Sequence, residues 1–404
     1  MDLRDFYGDS FDKNYIEGRA AALEAEFAAG EGSLPERLFS SPGRAEILGN
    51  HTDHNHGKVL VAAISCDILA AVKRRDDGII KICSVGYKPF EISLNDLAPK
   101  EREKGTSTAL TRGVAAKLTE KYGELGGFTA YMTSDVFKGA GVSSSAAFEV
   151  LIAEIFNSLY LGGKMTAVEK AIVSQYAENV YFGKPCGLLD QSGIAIGSLS
   201  KLDFKDPKNP EITKFPMISG YSLVITNTGG DHASLTAHYA AIRSEMESVA
   251  EYFGKKVLRE VDYNDFFDSL PALRHKFSGR AILRALHFFE ENERVDAAAK
   301  ALDAGDAKTF LKAVNESGLS SLDKLQNCAV PADESQPVIL GIEISRRIIK
   351  DGAVRVHGGG FAGSVLAIVG DGEKEEYVKN MSSLFGKENV FVANVRKFGT
   401  RALD

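Results

Sequence analysis

PGRAEILGNHTDHNHG, residues 42–57, sets an arginine, two acidic groups and three histidines between glycines. A plain core segment does not carry that density of functional side chains, so this stretch limits the chain more than any other. Pro42-Gly43 breaks regular structure, and the apolar pair Ile47-Leu48 predicts a short buried run that presents Arg44, Asn50, His51 and Asp53 to a cleft. Taken alone, the same Gly, Pro, Asn and Asp content also describes a surface turn.

Two more glycine-rich segments bear on that choice. Residues 139–150, GAGVSSSAAFEV, run straight into LIAEIFNSLY, which predicts a helix of about four turns. Gly139 and Gly141 let backbone approach a phosphate. The orphan amides and the positive dipole end of a helix start suit an anion, and the hydroxyls of Ser143, Ser144 and Ser145 add donors or a metal ligand. A ligand-free helix cap uses serines in the same way. Residues 357–369, HGGGFAGSVLAIV, predict a turn and then a short strand. HGGG can form an oxyanion hole in lipase-like hydrolases, but the G-x-S-x-G elbow those enzymes need is missing. The P-loop pattern and the protein-kinase set are missing as well.

In this order the three segments resemble the galactokinase branch of the GHMP small-molecule kinases. The resemblance extends to AENVYFGKPCGLLDQ at 177–191 and HASLTAHYAAIRSE at 232–245, and so covers essentially all 404 residues. It implies an α+β fold in two domains with the active site between them, an N-terminal unit over 1–206 and a C-terminal unit over 207–404. The polar, proline-bounded DPKNP at 206–210 is the boundary candidate. The implied activity is ATP-dependent phosphorylation of the anomeric hydroxyl of galactose, with ATP and Mg2+.

Roles follow by position. Asp190 falls where the family has an aspartate beside the anomeric hydroxyl, and Arg44 where an arginine lies next to it and to the transferred phosphoryl group. A carboxylate near a guanidinium stays ionised and can orient the hydroxyl or take its proton. Glu178 and Ser145 match the magnesium ligands, hard oxygen donors of the kind that ion prefers. Gly139, Gly141, Ser143, Ser144 and Ser145 match the phosphate loop. His51, Asp53, Gly187 and Tyr239, together with Asn50, match positions that contact hexose hydroxyls; at Tyr239 the family usually reads Glu-Tyr where this chain has His238-Tyr239.

The departures from the pattern keep a second substrate open. The family usually has Asn two residues after the arginine and Glu just before the histidine, and here those positions are Glu46 and Asn50. Galacturonate kinases of plants also lack that glutamate and read Asp-His, as Asp53-His54 does. A uronate substrate is therefore one alternative, with Asn50 lifting the repulsion of about 1 to 4 kcal/mol between two close carboxylates. A non-catalytic sensor of sugar and ATP is another, although Asp190, Arg44, Glu178 and the serine loop are all present. A zinc reading of His51, Asp53, His54 and His56 lacks nearby cysteines and a further ligand.

Composition agrees with a globular enzyme: 44% hydrophobic, 25% charged, and four scattered cysteines without C-x-x-C. A net charge of −7 disfavours nucleic acid as a partner, and no apolar run approaches membrane-spanning length. A small-molecule sugar is the expected partner and the cytoplasm the expected compartment. Periodicity predicts helices near 15–29, 106–122, 144–160, 166–182, 235–254, 279–303, 307–316, 336–350 and 373–386. Strands are expected near 59–72, 79–84, 127–133, 195–203, 221–227, 353–356, 364–369 and 389–394.

Overall fold

The computed structural model describes residues 3–8, 11–136, 141–230, 235–330 and 333–403. Strands β1 (Arg37–Leu48), β2 (Lys58–Arg75), β3 (Ile79–Ser84), β4 (Phe90–Ser93), β5 (Gly127–Ser134), β6 (Leu199–Asp203) and β7 (Glu211–Phe215) build the first sheet. A second, antiparallel sheet holds β8 (Tyr221–Asn227), β9 (Gly352–His357), β10 (Ser364–Gly370) and β11 (Val390–Ala393) in the order β11-β8-β10-β9. The chain then returns: β12 (Arg401–Ala402) pairs with β1, so the first sheet runs β12-β1-β2-β5-β3-β4, with β6 on β2 and β7 on β6.

Helices α1 (Arg4–Tyr7), α2 (Lys13–Glu31), α3 (Ser107–Tyr122), α4 (Ser144–Tyr160), α5 (Ala167–Tyr176) and α6 (Leu189–Ile196) accompany the first sheet. The second half carries α7 (Thr236–Tyr252), α8 (Tyr263–Asp268), α9 (Leu270–Lys276), α10 (Gly279–Ala304), α11 (Ala307–Ser320), α12 (Pro337–Ile348) and α13 (Lys374–Phe385). The fold is α+β. Local chemistry sets many ends: Asp12 caps α2 and left-handed Gly32 stops it, Thr166 and Glu169 form a capping box on α5, and Ser278 and Gly305 bound α10. Helix α4 is apolar on nearly all sides; Val150, Leu151, Ile152, Ile155 and Phe156 have no exposed area, each burial contributing about 1.5–3 kcal/mol. It is part of a hydrophobic core to which both sheets contribute, which fixes the helix start that faces the site.

Several expectations change. Pro42-Gly43 does not end regular structure; β1 runs through it with a register shift, Pro42 opposite Asp67 and Gly43 opposite Ile64. A bulge absorbs the proline without ending the strand. The segment expected as a strand from 195 begins as the end of α6, and β6 starts only at Leu199. Residues 206–210, the boundary candidate, are the turn of the β6–β7 hairpin, so a break after 206 would cut the first sheet. The helix expected to 182 turns into a π-helical segment at Ala177–Phe182, and α11 extends to Ser320.

Candidate active site

Arg44 and Glu46 stand two residues apart on β1 and so share one face of the strand. Arg44 is 3% exposed; its Nε donates to Asp190 Oδ1 at 2.7 Å and its Nη1 to the Gly141 carbonyl. Asp190 lies in the first turn of α6, and its second oxygen accepts from the Ser143 hydroxyl. Ser143 precedes α4 with a left-handed φ of 62°, an uncommon conformation for serine, and its side chain caps no amide of its own helix because it is turned to Asp190. Burial alone would raise the Asp190 carboxyl, but the Arg44 guanidinium and the Ser143 hydroxyl outweigh it and hold the group below the usual aspartate value.

In the first turn of α4, Ser145 Oγ donates to Glu178 Oε1 at 3.1 Å. Glu178 sits on the π-helical segment, and its other oxygen accepts from Gln191 Nε2 at 2.8 Å. A hydroxyl and a carboxylate so close are a donor set that fits Mg2+. Glu149, fully buried one turn further on, has an Oε1 without a hydrogen-bond partner; burial first, then the neighbouring Glu178 charge, push its carboxyl well above the usual range. Among the described residues no group of three or more His, Cys, Asp or Glu side chains is placed to hold a metal ion. Gly139 lies outside the described residues; Gly141, Ser143, Ser144 and Ser145 are brought together at the start of α4.

The third glycine segment closes over the signature. Three successive carbonyls accept from three different side chains: Gly358 from Asn50 Nδ2 at 2.8 Å, Gly359 from His51 Nε2 at 2.9 Å, Gly360 from Tyr239 Oη at 2.8 Å. Burial holds His51 down to about 4 and pushes Tyr239 up to about 12. Asp53 accepts the backbone N–H of Leu189 and of His54, each at 3.0 Å, and burial raises its carboxyl. Gly187 lies against it, where a Cβ would stand 1.8 Å from Asp53 Oδ2, so any side chain there would displace the carboxylate.

Asn50 requires a correction. It is fully buried, its amide donates to Glu46 Oε1 at 2.7 Å and to Gly358, and its Oδ1 accepts from Asn327 at 2.7 Å and Ser321 at 3.3 Å. All its hydrogen-bonding capacity is used inside the protein, leaving none for a sugar hydroxyl. The acidic group expected to be lost from this corner is present on Glu46, which also accepts from Arg355 Nη2 at 3.2 Å. Burial raises Glu46 to about 7 against the pull of Arg355 and Arg44. Gln191, Glu149 and His357 were not among the site residues expected from the sequence, and Glu46 stood there only as a departure from the family pattern. Gln191 adjoins Asp190 in the sequence, but nothing local marks Glu149.

A family model, the galactokinase galactose-binding signature, matches residues 25–74, and the N-terminal domain model of GHMP kinases matches 109–198. The galactokinase of Streptomyces coelicolor is 32% identical over 358 residues, 87% of this chain and 89% of that protein. That of Actinobacillus pleuropneumoniae is 32% identical over 363 residues, 88% and 91%. A galactokinase from Lactococcus lactis, solved in complex with galactose, superposes with a TM-score of 0.84 at 24% identity over 95% of this chain and all of that one. A Methanococcus jannaschii mevalonate kinase reaches 0.60 at 16% identity over 93% and 100%. At these identities the two structures speak for the fold alone.

Proposed function

The chain belongs to the galactokinase family of the GHMP kinases, and from that premise we propose that it transfers the γ-phosphoryl group of ATP to the anomeric hydroxyl of galactose. The observation that carries the chemistry is Asp190, with one oxygen on Arg44 Nε at 2.7 Å and the other on the Ser143 hydroxyl at the head of the phosphate loop. Asp190 orients the sugar hydroxyl and takes its proton as that oxygen bonds to phosphorus and the bond to the ADP oxygen breaks. A carboxyl held below its usual value is a weak base, so proton transfer late in the step suits it. Arg44 offsets the charge spread over the phosphoryl oxygens. Ser145 and Glu178 would hold Mg2+, which neutralises nucleotide phosphate charge when bound. His51, Asp53, Gly187 and Tyr239 form the sugar side, with Asn50 positioning Glu46 and the glycine turn. For the two units we place the break after Phe215, with the returning residues 394–403 counted in the first.

Galactose is favoured over galacturonate because the relatives are galactokinases and Glu46 keeps an acidic group beside Asn50. Release of ADP, followed with a panel of hexoses, tests the reading. Galactose should turn over, with galacturonate at least about tenfold poorer in kcat/KM, the equivalent of about 1.4 kcal/mol of repulsion. A preference for galacturonate, or binding of both sugar and ATP without turnover, would contradict it.

A further inference from the structure

We propose that His357 is a catalytic residue, a neutral hydrogen-bond donor to the transferred phosphoryl group; this rests on the kinase reading above. His357 ends β9 and is 1% exposed. Its Nε2 lies 3.2 Å from the backbone N–H of Glu46, which can only donate. Nε2 is therefore the bare acceptor nitrogen, and the proton of the neutral ring is assigned from this contact to Nδ1. Burial, then the Arg44 and Arg355 charges, keep the imidazole from taking a second proton near neutral pH.

Nδ1 is buried and has no hydrogen-bond partner. An unsatisfied buried donor is costly, and native proteins leave few of them. Gly141 of the phosphate loop lies beside Nδ1: a Cβ there would stand 3.3 Å from that nitrogen and 3.3 Å from the Ser364 hydroxyl. The donor thus lies against the phosphate loop at a residue that carries no side chain. The following residue, Gly358, abuts the same place: its own Cβ would lie 3.4 Å from the Gly141 carbonyl and 3.5 Å from Arg44 Nη2. An anionic phosphoryl oxygen entering beside Arg44 satisfies Nδ1–H. A neutral donor adds a hydrogen bond that strengthens as charge builds on that oxygen, without a second fixed cation to hold the product phosphate.

Two near-isosteres separate this role from packing. In His357→Gln the amide reaches the Nε2 position, can still accept the Glu46 N–H, and has no donor where Nδ1 was. His357→Asn does the opposite, placing its NH2 near Nδ1 and leaving the Glu46 N–H bare. With folding checked by thermal melts, His357→Gln should lose roughly 10²-fold in kcat, the usual effect of removing one such donor, with galactose KM within about twofold. His357→Asn should stay within about tenfold of wild type. Wild-type-like kcat in the Gln variant, or a greater loss in Asn than in Gln, overturns the proposal. Should the Gln variant not fold, His357→Leu replaces it, and equal kcat in Leu and Asn variants overturns the proposal too. If the unaltered protein forms no sugar 1-phosphate, it is the kinase reading that fails, before any variant is compared.

Discussion

Asn50 and Glu46 stand in each other's usual places, and the hydrogen bond between them at 2.7 Å explains how the exchange is tolerated. One carboxyl and one amide fill the same buried corner whichever backbone position carries which. A single reversion breaks the pairing: Asn50→Glu sets two carboxyls together, leaves the Gly358 carbonyl without its donor, and should cost about 1–4 kcal/mol of stability. Adding Glu46→Asn restores one acid and one amide, so the double variant should recover at least half of the loss. Denaturant unfolding of the four proteins gives the coupling; losses that simply add would show that the two side chains do not depend on each other. Gly187 is a comparable case at a different distance, a glycine because Asp53 occupies the place of its side chain.

The β1–β2 hairpin is held by α10 as well as by the glycine turn. His287 of α10, without exposed area, bridges the Asn50 carbonyl through Nε2 and Ser320 of α11 through Nδ1, each at 2.9 Å. Burial first, and nearby arginines, hold its pKa down to about 4 from 6.5. The unfolded chain therefore takes a proton there before the folded one, and stability falls as pH drops from about 6.5 and levels off below about 4. The loss from this residue is on the order of 3 kcal/mol. His287→Gln, which keeps an amide donor toward Asn50, should flatten the pH dependence of unfolding over that window; an unchanged slope would assign the acid sensitivity to other groups. None of this could be read from the sequence, where His287 is one residue on a long helical pattern. The helices with regular periodicity were legible for the opposite reason. β1 was not, because Ser40, Ser41, Arg44 and Glu46 are polar yet buried, which erases the alternation a strand usually shows.

Across the whole molecule the site gathers residues far apart in the chain: Arg44 from β1, Ser143 and Ser145 at α4, Asp190 from α6, and the 357–360 turn from the second sheet. The motifs and their order made that assembly legible. The return of the chain end was not, since β12 has two residues and its anchor, fully buried Arg396, donates to Ser40 Oγ at 2.8 Å, a contact that periodicity does not encode. Among the described residues no helix is long and apolar enough to cross a membrane. The proposed reaction is phosphorylation of an anomeric oxygen, with Asp190 taking the proton. Phosphorus NMR of the product formed from galactose and Mg-ATP, by the unaltered protein and by Asp190→Asn, tests it most directly. Galactose 1-phosphate is expected from the first, and from the second a rate roughly 10²- to 10⁴-fold lower with ATP affinity little changed. A 6-phosphate, ATP hydrolysis alone, or near-normal turnover by a folded Asp190→Asn protein would contradict it.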